Sequence, residues 1–241
     1  MQKIIDKVNW IPIANSSIHS NLIRQIDKRA FMTLCYLLII CHDEDYTITT
    51  IKSIQNIMRI KDNSTIRKLL KTLEDKELIK FDKDVDILKY KYTNNLKIVV
   101  LYKEYALNHK KGFEMIPTDI FKKYIYKIGY NGWALLCALA VYNNYNEGYA
   151  FPTYIKLQDN LKMSPNTLKN NIMILCKHEL ITLLHNNKIW EYYDSNDNLI
   201  FRYENNKYIV NYMYYDMLWL KYIKQIKNKD IITEHKILCS V

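Results

Sequence analysis

Two stretches of the chain, residues 29–41 and 131–142, are apolar on almost every side, the pattern of helices buried at the centre of a fold. Each leads into a short extended piece, Tyr46-Thr47-Ile48-Thr49 in the first case and Tyr149-Ala150-Phe151-Pro152 in the second. Thr50 and Thr153 follow, and a hydroxyl residue there suits the N-cap of a second helix. That helix carries Ile51, Ile54 and Ile57 with Met58 in one place, and Tyr154, Leu157 and Leu161 in the other. A third helix has the clearest start signals, Asp62 as a cap and Ser164 followed by Pro165 at the first helical position. Its apolar stripe is Ile66, Leu69, Leu70 and Leu73, matched by Leu168, Ile172 and Leu175, the spacing of a half-buried helix.

Beyond Leu78-Ile79 and Leu180-Ile181 the pattern changes to short strands rich in Ile, Tyr, Phe and Trp, separated by turn residues. The first set predicts strands over residues 78–81, 87–92 and 96–102, with a turn at Asn94-Asn95. The second set has turns at Asn186-Asn187, at residues 194–198 and at Asn205-Asn206, so it carries one more strand and a longer hairpin. Residues 214–228 then read as an amphipathic helix bearing Lys221, Lys224 and Lys227, and the last dozen residues take no assignment.

These elements recur because the chain is internally duplicated. Phe31-Met32-Thr33-Leu34-Cys35 aligns with Trp133-Ala134-Leu135-Leu136-Cys137, and Glu77-Leu78-Ile79 with Glu179-Leu180-Ile181, both at an offset of 102. Trp10-Ile11-Pro12 is echoed by Met115-Ile116-Pro117 at an offset of 105. Repeats of this kind decide architecture before any single element does. The order of helices and strands in each copy is that of a winged helix, a trihelical core closed by a β-hairpin. The expectation is therefore an α+β protein of two tandem winged-helix domains, residues 1–108 and 109–241, the second ending in a helix.

Composition narrows the function. The 241 residues carry 35 Lys and Arg against 25 Asp and Glu, a formal charge of +10, shared as +5 by each half. Such a surplus favours a polyanionic partner. With 4 Gly and 4 Pro, neither GxGxxG nor a P-loop is present, which removes the simplest nucleotide-binding readings. The five cysteines form no CxxC pair, and Met1-Gln2-Lys3-Ile4-Ile5-Asp6 lacks the apolar run of a leader, so a reducing, cytoplasmic compartment is expected. No apolar stretch approaches the ~20 residues that span a bilayer, so no membrane partner is expected. None of the six histidines sits in a His-x-His pair. Cys176-Lys177-His178 is a surface His beside a small thiol rather than half of a zinc site, which needs about four ligands. Asp43-Glu44-Asp45 is a solvated turn. No catalytic constellation emerges, so the expectation is a protein that is no enzyme and uses no cofactor and no metal.

The remaining chemistry lies on the third helices. Opposite the apolar stripe stand Ser64, Lys68 and Lys71 with Arg67 at the flank, and in the second copy Asn166, Asn170 and Met173 with Lys169 beside them and Lys177 a turn beyond. Arg or Lys addresses guanine O6 and N7, Asn pairs with adenine N6 and N7, and helix N-termini hold phosphates. Ser64, Arg67, Lys68, Lys71, Asn166, Lys169, Asn170 and Lys177 are the candidate contacts to double-stranded DNA.

The run Tyr149-Ala150-Phe151-Pro152-Thr153, then Leu161-Lys162-Met163-Ser164-Pro165-Asn166-Thr167-Leu168, closing in Leu175 to Ile181, resembles the helix-turn-helix of plasmid and phage replication proteins from low-GC bacteria. The lead-in Phe113-Glu114-Met115-Ile116-Pro117 is similar to theirs as well. Two such modules in a chain of this length resemble the iteron-binding initiators, built from tandem winged helices. The resemblance implies origin binding, with one domain serving dimerisation and phosphate contacts and the other reading the major groove. A second copy of the chain is then an implied partner. Two other functions use the same module, transcriptional regulation and protein–protein adaptation.

Overall fold

A computed structural model of the protein describes residues 10–19, 22–41, 45–82, 85–102, 112–144, 146–184, 189–193, 199–203 and 206–211. These residues form a mixed α+β structure with eight helices and small antiparallel sheets. The expected helix over residues 214–228 lies outside them. By contact the chain divides into two compact units, residues 1–134 and 135–241, a division that falls beyond residue 108 and inside a helix.

The first unit opens with β1 (Trp10–Ala14), two short helices α1 (Asn15–His19) and α2 (Leu22–Ile26), and α3 (Lys28–Cys41). Helix α3 is central, as its all-round apolar pattern requires, with Phe31, Leu34, Cys35 and Leu37 fully buried. Thr33 is buried too, and its hydroxyl donates to the Arg29 carbonyl at 2.8 Å, which satisfies the polar group without leaving the helix. Strand β2 (Tyr46–Thr49), α4 (Ile51–Met58) and α5 (Asn63–Asp75) follow, then β3 (Ile79–Phe81) and β4 (Leu96–Val100). The three strands form one antiparallel sheet in the order β2-β4-β3.

One expected strand does not form. Residues 87–92 make turns instead. Asp86 starts them, its carboxylate accepting from Leu88 N at 3.1 Å and its carbonyl from Lys89 N at 3.1 Å. The carbonyls a strand would have paired are taken elsewhere: Tyr92 accepts from Lys52 N at the start of α4, and Tyr90 accepts from the Arg67 guanidinium.

Strand β5 (Phe113–Pro117) pairs antiparallel with β1 in the first unit. The register sets Ile11 opposite Ile116, so the two copies of the repeated Ile-Pro motif face each other. Helix α6 (Thr118–Val141) starts well ahead of the expected residue 131, because an amphipathic piece of about three turns, with Ile120, Phe121, Ile125 and Ile128 buried, precedes it. The two parts join at Gly129, whose φ of 62° and ψ of −175° are open to glycine and strained for other residues. Phe121 meets Trp133 across that kink edge-to-face, ring centroids 4.9 Å apart.

The second unit takes the end of α6, then β6 (Asn143–Asn144), β7 (Tyr149–Ala150), α7 (Tyr154–Leu161), α8 (Pro165–Lys177), β8 (Ile181–Leu184), β9 (Ile189–Tyr193), β10 (Leu199–Tyr203) and β11 (Lys207–Val210). Its sheet runs β6-β7-β11-β8, and β9 pairs with β10 as a separate antiparallel ribbon. Leu157, Leu161, Leu168, Leu175 and Tyr208 are fully buried in its core.

The repeat is visible in the backbone. Helices α4 and α7 are both 8 residues long, and α5 and α8 both 13. Left-handed residues recur in pairs: Asp27 (φ 71°) with Gly129 (62°), Arg59 (50°) with Lys162 (48°), and Glu77 (55°) with Glu179 (56°). The spacing within each pair is 102 or 103 positions, that of the sequence repeat. Leu78 N donates to Leu73 O, and Leu180 N to Leu175 O, both at 3.0 Å. Sheet order repeats as well, β2-β4-β3 corresponding to β7-β11-β8.

Candidate nucleic-acid interface

Each third helix is set by its cap. In α8 the Ser164 hydroxyl accepts from Thr167 N at 3.2 Å, Pro165 occupies the first helical position, and His178 closes the last turn through its N–H to Ile174 O. The buried side carries Leu168, Ile172 and Leu175, joined by Asn171, whose amide donates to Thr167 O at 2.7 Å. That bond removes Asn171 from the outward face and leaves Asn166, Lys169, Asn170, Met173 and Lys177, all exposed. From Ser164 to Lys177 there is no carboxylate. The helix thus presents two planar amides and two cations, with Lys177 in the last turn where the helix dipole favours it. Phe151, in the extended piece before α7, is 47% exposed, and Ile155, a position outside the expected stripe of that helix, is 70% exposed; Tyr154, expected on the stripe, is exposed as well.

Helix α5 is built on the same plan and loaded differently. Its cap is a carboxylate. Asp62 accepts from Ser64 N at 3.0 Å, Thr65 N at 3.1 Å and the Thr65 hydroxyl at 2.9 Å, and it also accepts from the Ser64 hydroxyl. These donors, led by the Ser64 hydroxyl and N–H, hold the Asp62 carboxyl down to about 2. An anion therefore already occupies the helix end at which a phosphate would sit.

The remaining candidates on α5 divide. Arg67 is half-buried and donates through Nε and Nη2 to the Tyr90 carbonyl, at 3.1 and 2.8 Å, which makes it a strut under the 87–92 turns. Lys71 lies 3.0 Å from both Glu74 and Asp75, and these partners, Glu74 first, raise its pKa. Ser64 is exposed but bonded to Asp62. Lys68 is exposed, and no ion pair is seen for it among the described residues. The Lys71 partners sit at i+3 and i+4, spacings at which helix side chains meet, so their signal was present in the sequence. The Tyr90 carbonyl carried no such signal.

Other candidate chemistry is quiet. Cys35 is fully buried and its thiol is pushed up to about 12 by desolvation, so it is no nucleophile at neutral pH. Cys176 faces the core. Among the described residues, no group of three or more His, Cys, Asp and Glu could hold a metal ion, and no helix is long and apolar enough to cross a membrane. No protein-family model matches the chain, and no curated protein is found to be similar to it.

Proposed function

We propose that the protein is a sequence-specific double-stranded DNA-binding protein made of two tandem winged-helix modules, and that α8 is its reading helix. The observation that carries this is the outward face of α8: Asn166, Lys169, Asn170 and Lys177 exposed together on a helix without a carboxylate, in a chain of formal charge +10. Amides at this position pair with adenine in the major groove, while the lysines and the helix end hold phosphates. The order helix, strand, two capped helices and antiparallel strands, repeated at 102–103 positions, supports the winged-helix reading of both copies. Helix α5, with its carboxylate cap and its neutralised Lys71, serves as a positioning element whose cation without an ion pair among the described residues is Lys68.

The role assigned to this binding is initiation of replication of a plasmid or other mobile element. The resemblance of residues 149–181 to the helix-turn-helix of such initiators supports it. The test of the DNA reading is Asn170→Ala. Against a selected site it should cost ~1–3 kcal/mol and on random duplex almost nothing, read by fluorescence anisotropy. Equal losses on both duplexes overturn α8 as the reader. Footprints confined to direct repeats beside the gene support initiation, and footprints on a divergent promoter point to a regulator.

A further inference from the structure

The first part of α6 presents an unusual face to solvent. Lys122, Lys123, Tyr126 and Lys127 fall within one side of the helix, all of them exposed, with one carboxylate, Asp119, in the first turn. Tyr126 does not stand alone. The Arg59 guanidinium lies over its ring, 3.7 Å from the centre, a cation–π contact. Arg59 is the left-handed residue closing α4, a place where glycine would sit without strain. Lys123 and Lys127 lie over the neighbouring Tyr124 ring at 5.0 and 5.5 Å. Beyond the Gly129 kink a second exposed ring, Tyr130, has Arg29 at 6.0 Å.

The combination discriminates between forms of nucleic acid. Lysines alone would suit any polyanion. A guanidinium held over a tyrosine ring, with both residues exposed, offers a surface that an unpaired base can stack on, and a duplex keeps its base faces inside the stack. We propose that this face of α6, with Arg59 and Tyr126 as a stacking platform and Lys122, Lys123 and Lys127 as phosphate contacts, binds single-stranded nucleic acid. The base completes a three-layer stack of base, Arg59 and Tyr126, and the neighbouring phosphates run along the lysines. The site uses none of the α8 residues, so it stands or falls separately from the duplex reading.

The test uses the full-length protein and two fluorescein-labelled probes of equal length, oligo-dT and an abasic oligomer with the same phosphates and no bases. Anisotropy should show oligo-dT bound about tenfold more tightly than the abasic probe. Arg59→Lys, which keeps the charge and removes the plane, should erase that preference, and Tyr126→Ala should do the same. Tyr126→Phe should preserve it. Replacing Lys122, Lys123 and Lys127 together by Gln should weaken both probes, more than the same change at the exposed Lys52, Lys80 and Lys89. Thermal melting and duplex binding, measured on each variant, separate a local effect from loss of fold. Equal binding of the two probes by the wild type overturns the proposal, as does a preference that survives Arg59→Lys or that vanishes with Asn170→Ala.

Discussion

Two lysine pairs on equivalent helices should respond to salt in different ways. In α8, Lys169 and Lys177 are exposed and the helix carries no carboxylate. In α5, Lys71 is within 3.0 Å of Glu74 and Asp75, so of the pair Lys68 and Lys71 it is Lys68 that has no ion pair among the described residues and can meet a phosphate. Each phosphate neutralised by a protein cation releases condensed counterion and contributes about −0.9 to the slope of log K against log salt. Replacing Lys169 and Lys177 by Gln should therefore flatten the slope by about 1.8. Between 50 and 200 mM salt, the wild type should lose about 12-fold more affinity than this variant. Replacing Lys68 and Lys71 should flatten the slope by no more than about 0.9, a difference of roughly 3.5-fold over the same range. The assay is duplex anisotropy at four or five salt concentrations, with circular dichroism to confirm that each variant is folded. Equal flattening by the two pairs, or more from α5, would refute the assignment of Lys71 to its intrahelical partners.

Two further outcomes concern stability. Gly129→Ala should destabilise by ~1–3 kcal/mol in urea titration, because φ 62° with ψ −175° is strained for any side chain even where space is open. Gly129→Asp should cost less, since Asp27 holds φ 71° at the equivalent position with its carboxylate accepting from Arg29 N at 2.7 Å. At Asp62 the folded-state pKa is lowered from 3.8 to about 2, so its contribution is present above the ordinary value and lost as pH falls through about 2. Melting temperatures of the wild type should therefore fall more steeply between these pH values than those of Asp62→Ser, which caps without titrating; parallel curves would contradict the role given to the carboxylate.

Caps and stripes were legible in the sequence because they are local. Thr50, Thr153, Asp62 and Ser164 each bond an amide two or three positions on, so residue type and spacing suffice. Features settled by distant partners were not legible. Residues 87–92 alternate like a strand, yet Lys52 and Arg67 claim the Tyr92 and Tyr90 carbonyls. The front of α6 lies ahead of residue 131, where the all-round apolar pattern begins, and Gly129 is a joint between the two helical pieces. At the candidate interface, sequence spacing placed all eight residues on helices, and Arg67, Ser64 and Lys71 are engaged by other described residues.

The pairing of β1 with β5 sets an order of events during synthesis. Trp10 pairs with Pro117 and Ala14 with Phe113, so the first strand waits for a partner made about 100 residues later. At 5–20 residues per second that interval is roughly 5–20 s. Throughout it Ile11 and Ile13, fully buried in the finished protein, have no strand to lie against. A ribosome that pauses before residue 113 therefore holds out an apolar strand with an open edge, the form most prone to pair with another nascent chain. Translation speed across the junction between the two repeats thus becomes a determinant of yield.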